Sequence, residues 1–246
     1  MERQLAQEER VPFGWVARLF GKGLALYVRL VARTARFSGP PVRQEQVVFA
    51  IWHESNLVAA AAAYRLRGEQ RHVSFSTRRF RGIVMNNMLR GLGWDAVTLP
   101  DPGAQSRGEA TSVSRAMARL AREGKSLVAS CDGPLGPYRL AKPGVLILAR
   151  ESGVPVLPWA VAVRPPVRLT RRWDRQLVPL PFCRMRVDEA PLIRVGPRDR
   201  IKPILAQLQA DLERIAELSD RRMAGRGRDA HARRTDSESP ESPDAG

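Results

Sequence analysis

Hydrophobic positions recur at helical spacing from Phe13 to Arg36, where Trp15, Val16, Leu19, Phe20, Leu24, Leu26, Tyr27, Leu30 and Val31 alternate with Arg18, Lys22, Arg29, Arg33 and Arg36. Pro12 falls at the first turn, where the missing N–H of proline goes unused. The pattern predicts a basic amphipathic helix, packed on the domain, docked on a membrane surface, or both. After Gly39-Pro40-Pro41 it changes to short β-rich runs alternating with helical ones. The run VVFAIWH from Val47 predicts a buried strand, 54–66 a helix, 72–76 a strand, 82–92 a helix, and DAVTL from Asp95 a strand. Residues 109–122 predict a helix, 125–131 a strand, 143–151 a short helix, and VPVLPWAVAV from Val154 a long strand. A Pro- and Arg-rich loop over 164–181 leads to a strand near Met185 to Val187 and a closing amphipathic helix over 201–218. Strands alternating with helices predict an α/β fold, a mixed and largely parallel sheet flanked by helices.

At 246 residues and 43% hydrophobic, the chain is long enough for one sizeable core. The expected division is an N-terminal helix region over 1–39, one domain over 40–219, and a tail over 220–246 whose scarcity of large apolar residues predicts disorder. The formal charge of +16 calls for an anionic partner. The longest apolar stretch, Leu57 to Tyr64, is far short of the roughly 20 residues that span a bilayer. The opening MERQLAQEER lacks the basic start and apolar run of a secretory signal, and two cysteines, Cys131 and Cys183, make no disulfide framework. An intracellular protein is expected, with no metal and no bound cofactor.

Two places carry candidate chemistry. His53 ends a strand and opens a helix, where the positive helix terminus disfavours imidazolium and keeps a base neutral. Asp132-Gly133-Pro134-Leu135-Gly136-Pro137 follows a buried strand, at the strand end where α/β sheets bind ligands. Arg139 and Lys142 come next, then a helix start at Pro143-Gly144 whose free amides suit an anion.

The segments AIWHESNL, SRGEATSVSRAMARLAREGKSLVASCDGPLGPYRLAKPGVLILARESGVPVLPWAV and WDRQLVPLPF resemble the lysophospholipid acyltransferase superfamily, in its bacterial domain-of-unknown-function branch, over about Val47 to Val195. The resemblance implies a catalytic His at His53 and an Asp five positions on, where this chain has Val58. It also implies a phosphate-binding EGTR-like block, replaced here by DGPLG with Leu135 in the Arg position. Asp132 is then the expected partner of His53. Gly133 and Pro134 shape the substrate loop, and Arg78, Ser106, Arg107, Arg139 and Lys142 are expected to meet the acceptor.

What the resemblance implies is transfer of a fatty acyl group from acyl-CoA or acyl carrier protein to a hydroxyl of a lysophospholipid or other membrane lipid. The chain would work from the cytoplasmic side, as a peripheral protein on an anionic membrane. The substitutions at Val58 and Leu135 favour a rival, a lipid-binding protein that keeps the fold without catalysis. A nucleic-acid partner is not expected, because no aromatic-basic motif accompanies the charge.

Overall fold

The computed structural model describes residues 13–41, 43–66, 71–77, 80–99, 119 and 121–237, with side chains to residue 224. Helix α1 (Gly14–Thr34) leads to β1 (Arg36–Ser38), β2 (Val48–Ile51), a 3-10 turn at His53–Ser55, α2 (Asn56–Leu66) and β3 (His72–Thr77). Next come α3 (Phe80–Gly91), β4 (Asp95–Leu99), β5 (Ser126–Ser130), α4 (Gly144–Ser152) and β6 (Val156–Arg164). A small antiparallel pair, β7 (Val167–Arg168) and β8 (Leu177–Val178), precedes β9 (Arg184–Glu189) and the long α5 (Ile201–Ser237). The helix predicted at 109–122 lies mostly outside the described residues.

Seven strands form one sheet in the order β1-β9-β6-β2-β5-β3-β4. Its pairs are parallel except β6 with β9. This is the mixed, largely parallel α/β sheet expected. Every residue of β2 is buried, as a parallel strand covered on both faces requires. One apolar cluster lies between the sheet and α1, α2 and α3, and includes Phe49, Leu157, Met88 and Val31. The other lies toward α4 and α5 and includes Leu127, Leu146, Leu208 and Leu212. Helix α2 is held between sheet and α1, so Ala59 to Ala63 are all buried. Alanine suits that place, with high helix propensity and little bulk.

Helix α1 turns its small residues inward, not its large apolar ones. Its buried positions are Gly14, Ala17, Gly21, Ala25, Val28, Val31 and Ala32. A Cβ at Gly21 would stand 2.5 Å from the Val84 carbonyl oxygen and 2.6 Å from the Asn87 Cβ, so glycine sets the close approach of α1 to α3. Trp15, Leu19, Phe20 and Leu26 are left about two-thirds exposed.

Three further elements depart from expectation. Residues 36–38 form an edge strand on β9 instead of ending the helix. The Pro-rich loop contains the β7–β8 hairpin. Helix α5 continues past Asp220, where composition predicts disorder; Met223 is buried on it and Arg222 bonds Asp188 at 3.0 Å. No described helix is long and apolar enough to cross a membrane.

Candidate active site

Strands β2 and β5 are parallel neighbours with Ile51 beside Ser130, and the Cys131 N–H extends the ladder to the Ile51 carbonyl. His53 and Asp132 each lie two residues beyond that pair, so the register brings them level at the carboxyl edge of the sheet. The Asp132 carboxylate accepts the backbone N–H of His53 at 3.0 Å, and its other oxygen accepts that of Arg139 at 3.4 Å. His53 Nδ1 stands 3.7 Å from Asp132 Oδ1, a charge-pair distance longer than a hydrogen bond, and has no hydrogen-bond partner among the described residues. Asp132 is fully buried while His53 is about a quarter exposed.

Val58, where the family pattern puts an Asp, is fully buried among the apolar residues of the first cluster. Glu54 turns away from His53. Its carboxylate accepts the Arg139 guanidinium, Arg168 at 2.5 Å and the Tyr138 hydroxyl at 2.6 Å, and it is 2% exposed. The two arginines compensate a charge that could not otherwise be buried. Burial and the bond to Glu54 push the Tyr138 phenol up, which keeps it a donor. A cavity behind the turn is lined by the charged Glu54, Arg139, Arg168 and Asp220 together with the apolar Trp52, Trp159, Val161 and Leu177.

The loop after Asp132 is pinned at both ends. The Lys142 N–H bonds the Cys131 carbonyl at 2.8 Å, and Gln209 of α5 binds the Ala141 N–H at 2.7 Å and the Arg139 carbonyl at 2.9 Å. Gly133 has φ +69°, and a Cβ there would stand 3.3 Å from the Lys142 side chain. Pro134 and Leu135 are exposed at the loop tip. The structure thus brings His53, Asp132, Gly133 and Lys142 to one region, but commits the head of Arg139 to Glu54. Arg78, Ser106 and Arg107 lie outside the described residues. Cys131 does not compete as a nucleophile, because burial, with the Asp132 charge added, pushes its thiol up and keeps it protonated.

Sequence reasoning missed the β7–β8 tip. Trp173 packs on the His53 ring, centroids 5.2 Å apart, and Asp174 is fully buried. Only the WDRQ segment within the family-like stretch hinted at it. Among the described residues no group of His, Cys, Asp and Glu is placed to hold a metal.

The fold matches that of a solved 1-acyl-sn-glycerophosphate (LPA) acyltransferase, PlsC, from Thermotoga maritima, with a TM-score of 0.51 and 14% identity over 88% of this chain and 87% of that one. The α/β architecture is therefore shared with that solved structure. No protein-family model and no curated protein matches the chain.

Proposed function

We propose that this chain is an acyltransferase that moves a fatty acyl group from a thioester, acyl-CoA or acyl carrier protein, to a lipid hydroxyl. The observation that carries this reading is a partly exposed histidine backed by a buried carboxylate at the carboxyl edge of an acyltransferase-like sheet. His53 Nε2 takes the hydroxyl proton as the oxygen attacks the thioester carbonyl. The tetrahedral oxyanion then collapses, the C–S bond breaks, and the imidazolium returns its proton to the leaving thiolate. Asp132 orients the ring and stabilises the imidazolium, as carboxylates do in His-based acyl transfer.

The acceptor is a lysophospholipid or similar membrane lipid, reached from the cytoplasmic face. Supporting this are the outward Trp15, Leu19 and Phe20 of α1, with exposed Lys22 and Arg33 beside them, and the charge of +16. Tyr27 is not part of this face, since its hydroxyl bonds the Pro179 carbonyl at 2.5 Å. With Arg139 held by Glu54, an anionic head group falls to Lys142, and to Arg78, Ser106 and Arg107 outside the described residues.

The rival, a lipid-binding protein without catalysis, is favoured by the buried Val58 and the exposed Leu135. A lipidomic comparison of cells carrying the wild-type chain or His53→Ala separates the two. Catalysis predicts a changed acyl composition of membrane lipids in the variant. An unchanged profile supports the rival.

A further inference from the structure

The β7–β8 hairpin closes at its base, where the Leu169 N–H bonds the Gln176 carbonyl at 2.9 Å. Its tip then folds onto His53. Trp173 is wedged between the imidazole, at 5.2 Å and 49°, and the loop after Asp132, where a Cβ on Gly136 would meet the indole at 2.8 Å. Glycine at 136, with φ +72°, is what admits the indole this close.

The rest of the tip is tied down on both sides of that contact. Arg172 grips Asp174 through two parallel bonds of 2.8 and 2.7 Å. Arg175 lies over the Tyr138 ring at 4.8 Å, and the Gln176 amide bonds the Glu54 carbonyl at 2.7 Å. A solvent-facing turn does not need a fully buried aspartate or a tryptophan seated on a histidine. Burial penalises the Asp174 charge, yet the bonds from Arg172 outweigh it and hold the carboxyl below its usual range. The other charges around His53 are Asp132 and Glu54, the latter matched by Arg139 and Arg168.

We propose that the tip Arg172–Gln176 is a positioning element for His53, in which Trp173 fixes the imidazole against the Asp132 loop and the Arg172–Asp174 pair holds the tip that carries Trp173. The proposal rests on His53 being the reactive base, but its test requires no substrate.

Diethyl pyrocarbonate acylates neutral imidazole, and peptide mass spectrometry reads His53 separately from His72 and His231. In Asp174→Asn, which weakens the Arg172 clamp on the tip, the rate of His53 modification at fixed pH should rise as Trp173 loosens. In Trp173→Ala the rate at fixed pH should rise severalfold, and Trp173→Phe should restore it toward wild type. If Asp174→Asn does not fold, the Trp173 pair decides the matter. An unchanged rate in folded Asp174→Asn, or in Trp173→Ala, overturns the proposal. A chain that passes this test yet transfers no acyl group would contradict only the proposed function.

Discussion

Glu54 holds the guanidinium of Arg139, so the residue after the candidate base anchors the loop that carries Asp132. One buried carboxylate thereby ties the end of β2, the Asp132 loop and, through Arg168, the base of the β7–β8 hairpin. Its removal strands two arginines. Glu54→Gln should lower stability by about 3–5 kcal/mol, the usual penalty for breaking a buried pair, while His53→Ala should leave it within about 1 kcal/mol. Urea unfolding of the two variants checks this.

Asp188 plays a similar part between sheet and helix. It accepts Arg186 at 2.7 and 2.9 Å, Ser219 of α5 at 2.5 Å and Arg222 at 3.0 Å. Burial works against its charge, but these partners outweigh it and hold the carboxyl below the usual 3.8. A depressed folded value means that the stabilisation is complete above the unfolded value and is lost as pH falls through the folded one. Unfolding free energy should therefore drop below about pH 4 in the wild type and less steeply in Asp188→Asn. Parallel slopes would rule Asp188 out as a main acid-sensitive group.

The two faces of α1 make opposite predictions. Leu19→Glu and Phe20→Glu, on the exposed face, should leave folding intact and reduce flotation with anionic liposomes. Gly21→Leu, on the buried face, should cost about 1–3 kcal/mol through overpacking against α3. Equal flotation of wild type and the Glu variants would remove α1 as the docking surface.

If the acceptor is anionic, Lys142→Ala should raise the acceptor concentration needed for turnover by the loss of a charge-assisted bond, about 1.5–3 kcal/mol, without changing donor use. Arg139→Ala should act instead on stability, because it leaves Glu54 short of a partner. Steady-state kinetics with each substrate varied distinguishes the two effects. Wild-type acceptor dependence in Lys142→Ala would favour a neutral hydroxyl acceptor.

The central strands were legible because burial on both faces of a parallel sheet leaves continuous apolar runs, as in the run containing Val48–Ile51 and in Val156–Arg164. His53 and Asp132 were legible because each directly follows such a run. The buried face of α1 was not, since helical periodicity finds a stripe of large apolar residues without saying whether core or solvent takes it. Close packing on α3 selects Gly21 and Ala25 instead. Strand β1 spans three residues, and the β7–β8 pair gives each strand only two, too few to form a pattern. The fate of Arg139 was hidden for another reason: its partner Glu54 is 85 positions away, and only the fold brings them together.

The central claim is that His53 serves as the base in acyl transfer to a lipid hydroxyl. Its most direct test is an assay of the purified chain with labelled acyl-CoA or acyl carrier protein, lysophospholipid acceptors and anionic vesicles, beside His53→Ala. Wild type should form acylated lipid and release free thiol in equal amounts, and folded His53→Ala should lose at least about a hundredfold in rate, the low end of a general base's contribution. Turnover in the variant equal to wild type, or no transfer by wild type to any lipid hydroxyl from either donor, would contradict it.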